Sequence, residues 1–256
     1  MRQRTLDRLD SLYRAGRYEE AEAGARALAS APRGVRRRPA PQWCARALAT
    51  AVAVAHGRGT EVPAELEMLI VELKPVVPEV HVLQLEVRHN RTVVLLGQER
   101  YEEAEAEAVG ILRAVTRLAH LAPLRRLELH VLENLAGALC GQARHEEAEA
   151  IARGNLPRAD GRSVGALQAT LVRSLNGQGR YEEALAVVGQ FTPVRERANS
   201  GRLDLVTGWA LYGLGRRDEA AAAVRQTLAD CERNLHQAHP RTREARTLLG
   251  AITGEG

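Results

Sequence analysis

The sequence predicts an all-α protein, a solenoid of about six helix-turn-helix repeats followed by a capping helix. The main observation is a phrase of the form Arg-Tyr-Glu-Glu-Ala, which recurs with small changes from Arg17, Arg100, Arg144, Arg180 and Arg216. A phrase that returns at intervals of about 20 to 50 residues indicates a repeated structural unit. In addition, no segment alternates apolar and polar residues for long enough to predict a β-strand.

The composition also favours a helical repeat protein. Apolar residues make up 45% of the chain and aromatic residues only 3%, so the core must consist mainly of Leu, Ala and Val. Leu and Ala are strong helix formers. A solenoid suits the length of 256 residues as well, because each unit buries its apolar face on its neighbours and no single large core is required.

The spacing of the phrase gives the number of units. Successive copies are separated by 83, 44, 36 and 36 residues, so a degenerate copy is expected in the first interval. The best candidate is 56–63, where glycines would end one helix, Thr60 would cap the next and Pro63 would lie in its first turn. We therefore predict one domain, 1–256, with units at about 1–31, 40–76, 78–120, 122–157, 160–192 and 199–237, and a capping helix at about 240–252.

Each unit is predicted to contain two helices joined by a turn that includes a glycine. Apolar residues at helical spacing precede the phrase, as at Leu132, Leu135 and Leu139. The two glutamates of the phrase would begin the second helix, because acidic residues in a first turn complement the helix dipole. In the third and fourth units the nearest glycines are Gly97 and Gly141, further from the phrase, which predicts a longer turn there.

This pattern resembles the tetratricopeptide repeat over nearly the whole chain. The turn glycine, aromatic residue and alanine of that family correspond to Gly16, Tyr18 and Ala21, whereas the sixth unit has Arg217 in place of the aromatic residue. The segment 235–242 resembles the His-Pro-x-Thr connector of longer, kinesin-light-chain-like repeats common in actinobacterial proteins. The resemblance implies a right-handed superhelix that binds a protein or peptide in a concave groove lined by the first helix of each unit.

The same resemblance locates candidate binding residues. Members of the family often have an asparagine eleven residues before the turn aromatic, where its side chain bonds the backbone of an extended peptide. Asn90 and Asn134 match this position, whereas Thr170 and Val206 occupy it in the last two units. An amide can both donate and accept a hydrogen bond, so it can pair with any peptide group. The alternative is that these asparagines form bonds within or between helices.

Other residues of the predicted groove follow by helical spacing. They are mixed in charge and include Trp, Tyr and Arg, the residues most often found as binding anchors. The alternative for Trp209 is packing against the last helix. The set comprises Glu86, His89, His130, Glu133, Arg173, Asn176, Arg202, Trp209 and Tyr212.

No catalytic or metal-binding motif is apparent in the sequence. It contains no Gly-rich phosphate loop of the Walker type and no Gly-x-Ser-x-Gly elbow. Cys231, His236 and His239 lie within nine residues, but their spacing matches no common zinc pattern. We expect His239 to brace the turn of the connector instead. We therefore predict no catalytic residue, no metal and no cofactor.

Charge and cysteine usage bear on partners and location. The net charge is +4, and glutamates are interspersed among the basic residues, as in 102–107, which argues against an extended nucleic-acid surface. Three widely spaced cysteines indicate a reducing compartment rather than a disulfide framework. No apolar run is long enough to span a membrane, and the amino terminus lacks the apolar core of a signal peptide. The predicted location is the cytoplasm.

The sequence thus favours a non-enzymatic scaffold or adaptor that binds a protein or peptide. The first alternative is a regulatory sensor for a signalling peptide or small molecule. The second is a biosynthetic accessory or enzyme on a repeat scaffold, for which His89, His130 and Glu133 would be the residues to test. Pairing of subunits through an exposed apolar face, giving a homo-oligomer, is a further hypothesis.

Overall fold

The computed structural model describes residues 2–31, 40–73, 78–120, 123–190 and 201–254. Within these ranges the chain forms thirteen α-helices and no β-strand. Two short 3-10 turns, Gly59–Glu61 and Leu156–Arg158, complete the regular structure of this part of the protein. The all-α prediction is therefore confirmed.

The helices form six successive pairs, each joined by a turn, and one final helix. In chain order they are α1 (Arg2–Arg14) and α2 (Tyr18–Ser30), α3 (Ala40–His56) and α4 (Pro63–Glu72), α5 (Pro78–Gly97) and α6 (Tyr101–Leu118), α7 (Arg125–Gly141) and α8 (His145–Asn155), α9 (Arg162–Gly177) and α10 (Tyr181–Gly189), α11 (Arg202–Gly213) and α12 (Arg217–Asn234), and α13 (Pro240–Thr253).

The packing is that of a helical repeat solenoid. Each helix packs on the next along the chain. The first helices of neighbouring pairs are also in contact: α3 contacts α5, and α7 contacts α9. Apolar residues accordingly form a series of clusters between neighbouring pairs rather than one central core. Each unit buries its apolar face on its neighbours, as expected for a quasi-one-dimensional fold.

All six turns between paired helices have the same backbone geometry. In each, the arginine N–H bonds a carbonyl five residues earlier, and the residue before the arginine has a positive φ, which together define a Schellman C-cap. The left-handed residue and its φ are Gly16 (72°), Gly57 (103°), Glu99 (62°), Ala143 (58°), Gly179 (72°) and Gly215 (73°). The bonds are Arg17 to Leu12, Arg58 to Ala53, Arg100 to Leu95, Arg144 to Leu139, Arg180 to Leu175 and Arg216 to Leu211, all between 2.8 and 3.0 Å.

The prediction of a longer turn in the third and fourth units is therefore wrong. Glu99 and Ala143 take the left-handed position that glycine holds elsewhere, and the turn keeps its length. Gly97 and Gly141 are instead the last residues of α5 and α7. The hydrogen bonds of the Schellman cap fix the position of the left-handed residue. Glu99 and Ala143 therefore adopt this conformation, which glycine prefers, at a modest cost in backbone strain.

The aromatic residue of the phrase joins one unit to the next. A Cβ atom added at Gly141 would lie 2.3 Å from the ring of Tyr101, and one at Gly177 would lie 2.3 Å from the ring of His145. Gly213 has the same relation to Tyr181, at 2.4 Å. The aromatic side chain thus packs onto the end of the first helix of the following unit, where only glycine leaves enough room.

The glutamates of the phrase belong to the helix starts. In all six turns the arginine pairs with the acidic residue three positions later, as Arg144 does with Glu147 at 2.7 Å. The equivalent pairs are Arg17–Glu20, Arg58–Glu61, Arg100–Glu103, Arg180–Glu183 and Arg216–Glu219. Most are exposed, so solvent screening leaves each with little effect on stability. The repeated carboxylates are therefore turn residues rather than a catalytic pair.

In the second unit the helices end and begin where predicted, but the residue predicted to cap the second helix does not do so. α3 ends at His56, Gly57 is left-handed, and α4 begins at Pro63. Thr60 is not the N-cap, because it lies inside the 3-10 turn, and Val62 immediately precedes α4. Val62 is buried, with 1% of its surface exposed, so the extra turn brings an apolar side chain into the core.

The connector between α12 and α13 returns to the beginning of the solenoid. Cys231 and Leu235 share an apolar cluster with Tyr18, Ala21 and Val52 of the first two units. The backbone N–H of residue 236 donates to the carbonyl of residue 56 at 2.9 Å. We call the segment 235–240 the closing corner, because it joins the last unit to the first three.

His239 has the structural role predicted for it. Its Nδ1 accepts a hydrogen bond from the backbone N–H of Arg241 at 3.0 Å and so caps the amino terminus of α13. Its backbone packs directly on Gly57, where an added Cβ atom would lie 2.7 Å from the Cα atom of His239. A side chain at residue 57 would therefore collide with the closing corner.

Candidate functional site

The first helices of the second to sixth pairs, together with α13, surround a channel of about 1560 Å³. Side chains or backbone from all six helical pairs and from α13 line it, including Tyr18, Val54, Val93, Thr170 and Pro240. The channel follows from the fold, because the closing corner brings α13 against the concave side that the first helices form. A concavity of this size with several polar side chains in its wall is the candidate binding site.

The predicted groove residues fall into two sets. Seven of them line the channel: Glu133, Asn134, Arg173, Asn176, Arg202, Trp209 and Tyr212. The remaining four lie on α5 and α7 but are not among its lining residues, as far as the described ranges show: Glu86, His89, Asn90 and His130. All eleven residues lie on first helices.

One ion pair spans the wall of the channel. Arg202 of α11 donates from Nη1 to Oε1 of Glu133 on α7, at 2.5 Å. The two side chains are 25% and 17% exposed, so the pair is partly shielded from solvent. The pair connects the fourth unit to the sixth, past α9 of the fifth. The curvature of the solenoid brings the two side chains within reach of each other.

A second ion pair joins the wall to α13. Arg173 of α9 donates from both Nη atoms to the carboxylate of Glu244, at 2.8 and 2.9 Å. The indole N–H of Trp209 donates to the same carboxylate at 3.1 Å. Burial acts to lower the pKa of Arg173, but the charge and hydrogen bonds of Glu244 raise it above its ordinary value. Arg173 therefore stays a fixed cation although protein surrounds it.

The amides form bonds between neighbouring first helices. The Nδ2 atom of Asn134 lies 3.0 Å from Nδ1 of His89, which links α7 to α5. His89 in turn stacks on His130, with ring centroids 5.7 Å apart. Asn176 donates from Nδ2 to the carbonyl of Val206 at 2.7 Å, which links α9 to α11. Asn134 and Asn176 are therefore held rigidly by bonds between helices, while Asn90 is half-buried on α5.

Three buried polar atoms of the lining residues have no hydrogen-bond partner within the described ranges. They are Oδ1 of Asn176, Nε of Arg202 and Nδ1 of His145. An unpaired buried polar atom costs roughly 1–3 kcal/mol. Each of these residues is otherwise fixed by packing or by another bond. These atoms have almost no accessible surface, so they lie within the wall rather than on its face.

The pKa values of Cys140, in the channel wall, and of Glu86, on α5, are also shifted. Burial raises the pKa of the Cys140 thiol to about 11, against the opposing charge of Arg173. Cys140 is therefore a neutral thiol near pH 7 and a poor nucleophile. Partial desolvation raises the pKa of Glu86, with Arg126 acting to lower it and Asp10 to raise it, although the side chain keeps an exposed surface.

The structure separates the residues considered for a zinc site. Cys231 is buried in the cluster around Tyr18, and His239 caps α13. Among the residues described, no group of three or more His, Cys, Asp or Glu side chains is arranged to hold a metal ion. No described helix is long and apolar enough to cross a membrane.

Glu244 and His145 were not among the site residues predicted from the sequence. Glu244 lies on the capping helix, 71 residues from Arg173, and meets it only because the closing corner folds back onto the first units. His145 occupies the turn position of the phrase and was interpreted only as a turn residue. The sequence does contain one indication that the end of the chain folds back. The second unit lacks the aromatic residue of the phrase, and the closing corner packs on that unit.

Comparison with known families agrees with the observed architecture. A family model described as the tetratricopeptide repeat matches residues 208–241, which run from α11 through α12 and the connector to the start of α13. No curated protein matches the chain significantly. The matched segment and the succession of helical pairs together support a tetratricopeptide-repeat-type architecture for this chain.

Proposed function

We propose that this protein is a non-enzymatic scaffold or adaptor that binds an extended segment of another protein in the channel. Tetratricopeptide repeats generally mediate protein–protein interactions. The observation that carries the proposal is that polar side chains from successive first helices, among them Asn134, Arg173 and Asn176, line one continuous channel in fixed positions. A peptide backbone supplies both N–H donors and carbonyl acceptors, so it can pair with amide and guanidinium groups along this wall.

The size of the channel favours a peptide over a small molecule. Small-molecule sites usually enclose about 300–1000 Å³. The channel is larger, at about 1560 Å³, and its lining comes from every unit. A sensor of a signalling peptide would use the same surface, so that alternative differs in biological role rather than in the site. A scaffold for an extended segment accounts for the full length of the wall.

Rigidity of the wall supports binding without chemistry. Asn176 is fixed by its bond to Val206, and Arg202 by its bond to Glu133. Side chains held in place before binding lose little entropy when a ligand arrives. The residues considered for an enzyme are engaged in the same kind of contact, since His89 bonds Asn134 and Glu133 bonds Arg202.

A peptide array followed by calorimetry tests the proposal. The strongest peptide from an array is titrated into the wild type, Asn176→Ala and Asn155→Ala. Asn155 is a matched control, because it also donates from Nδ2 to a backbone carbonyl but lies on α8 outside the lining residues. We expect Asn176→Ala to weaken binding about fivefold, because one hydrogen bond contributes roughly 1 kcal/mol.

Two outcomes would contradict the proposal. If no peptide binds the wild-type protein above background, it is not a peptide-binding scaffold. If peptide binds equally to all three proteins, the channel is not the binding site. The melting temperature of each variant is measured in parallel, so that loss of binding through unfolding is recognised.

A further inference from the structure

Glu244 is bound in the manner of a ligand. Its carboxylate accepts two parallel bonds from Arg173 and a third from the indole N–H of Trp209, at 2.8, 2.9 and 3.1 Å. A planar, two-point contact with a guanidinium is the strongest arrangement for a carboxylate in proteins. The indole adds a third point that fixes the orientation of the carboxylate. The donors thus form a complete carboxylate site.

The donors and the acceptor belong to different parts of the molecule. Arg173 and Trp209 lie on α9 and α11, in the wall of the channel, whereas Glu244 comes from α13. The side chain of Arg173 is 42% exposed and that of Glu244 is 28% exposed, although protein surrounds Arg173. Their exposed surface therefore faces the interior of the channel, where a bound segment would lie.

We propose that Arg173 and Trp209 form a carboxylate-binding subsite of the channel, which Glu244 occupies in the free protein. A partner segment that presents a carboxylate at this point displaces the side chain of Glu244. This inference rests on the proposed function, because it names the chemistry that the same channel recognises. The carboxylate comes from an acidic side chain or from the carboxyl terminus of the partner.

The exchange requires only a change of side-chain conformation. α13 stays anchored by the apolar cluster that contains Leu205, Ala245 and Leu248, and by the cap at His239. A partly exposed ion pair contributes little net free energy, so replacing one carboxylate by another is nearly balanced. The ion pair between Arg202 and Glu133 differs, because both of its partners belong to the wall.

Occupation by Glu244 should lower the affinity for an acidic partner. A ligand that binds only the vacant site has its apparent affinity reduced by the fraction of molecules in which that site is vacant. Removing the Glu244 carboxylate should therefore strengthen binding of an external carboxylate. Glu232→Ala is the matched control, because it removes one negative charge from an exposed ion pair on the neighbouring helix α12.

The test uses three short peptides of defined composition. One is blocked at both ends and contains two glutamates, the second has glutamines at those positions, and the third is the glutamine peptide with a free terminal carboxylate. Binding of each is measured by calorimetry with the wild type, Glu244→Ala, Glu232→Ala, and the double variant Arg173→Gln with Glu244→Ala. Circular dichroism verifies helix content, and Glu244→Gln replaces Glu244→Ala if the latter does not fold.

We expect the glutamate peptide to bind Glu244→Ala about five times more tightly than the wild type or Glu232→Ala. The gain should disappear in the double variant and should be absent for the blocked glutamine peptide. An equal gain for the peptide with the free terminus shows that terminal carboxylates are bound as well. Equal affinity of Glu244→Ala and Glu232→Ala for both carboxylate peptides, or a gain for the neutral peptide, overturns the inference.

These results can be separated from those that test the proposed function. If the array peptide depends on Asn176 but no carboxylate peptide responds to Glu244→Ala, the channel binds peptides and the subsite is wrong. If no array peptide binds the wild type, the scaffold proposal itself fails.

Discussion

The second turn of the solenoid differs from the other turns in what fills the space at the end of the next helix. In three turns a local aromatic ring packs on the terminal glycine of the following first helix, as Tyr101 does on Gly141. In the second turn the phrase has Gly59 in place of the aromatic residue. The corresponding glycine is Gly97, and the atom nearest to an added Cβ there is Cγ of Pro240, at 3.4 Å.

The difference shows that a degenerate repeat can have a structural reason. Gly59 leaves the position on Gly97 vacant, and Pro240 of the closing corner occupies it. Arg243 strengthens the same contact by donating from Nη2 to the carbonyl of Gly97, at 3.1 Å. The unit that departs most from the phrase is thus the unit that binds the carboxyl-terminal part of the chain. The channel depends on this contact, because α13 forms part of its wall.

The largest effect is expected from Gly57→Ala in the closing corner. Gly57 has a φ of 103°, and an added Cβ atom would lie 2.7 Å from both Cα and Cβ of His239. We expect the free energy of unfolding to fall by about 3–4 kcal/mol, because backbone strain and a collision with backbone atoms combine. Urea denaturation followed by circular dichroism measures the change.

Gly215→Ala is the control for this experiment. Gly215 has a φ of 73°, but nothing lies within 4 Å of its added Cβ atom. Only strain remains, so we expect a loss of about 1 kcal/mol. Equal losses for the two variants would show that the closing corner does not press on Gly57.

A smaller effect is expected from Gly141→Ala. The added methyl group would lie 2.3–2.5 Å from three ring atoms of Tyr101, so the ring must move. Overpacking of this kind costs about 1–3 kcal/mol. The Cβ atom added by Gly97→Ala would lie 3.4 Å from Cγ of Pro240, which is an ordinary contact. We therefore expect this substitution to lower the free energy of unfolding by less than about 1 kcal/mol. Combining Gly141→Ala with Tyr101→Ala should recover part of the loss, and strict additivity in this double-mutant cycle would contradict the packing argument.

Local features of the structure could be predicted from the sequence, and contacts between distant units could not. The turns and helix pairs depend on a few neighbouring residues, so the phrase was sufficient to place them. Gly97 and Gly141 were predicted to be turn residues. The sequence alone does not distinguish a glycine that makes room for a ring from one that has a positive φ. The contact between Arg173 and Glu244 depends on the summed rotation of successive units, which no local pattern contains.

The closing corner should also make stability depend on pH. Burial lowers the pKa of His239 well below 6.5, with repulsion from Arg241, Arg202, His56 and Arg243 adding to the effect. The pKa of His56 is lowered by burial and by His236. The unfolded chain therefore binds more protons than the folded chain below about pH 6.5, and stability should fall as the pH falls.

The slope of this dependence can be measured and assigned. Each histidine that stays neutral in the folded state contributes about 1.4 kcal/mol per pH unit below its unfolded pKa. Urea midpoints between pH 7.5 and 5 test this, with His239→Asn as the comparison, since asparagine retains a cap acceptor but does not titrate. A slope unchanged by His239→Asn would show that His239 is not the group responsible.

Substitution of the turn arginines should separate the second turn from the other turns. Arg58 pairs with Glu61, as its equivalents do, and in addition with Glu22, whose side chain is only 7% exposed. Arg58→Ala should cost about 2 kcal/mol, because it leaves a shielded carboxylate with Arg26 as its remaining partner. Arg216→Ala removes only an exposed pair and should leave the urea midpoint unchanged. Equal midpoints for the two variants would mean that the second turn differs from the others only in the contacts of its glycines.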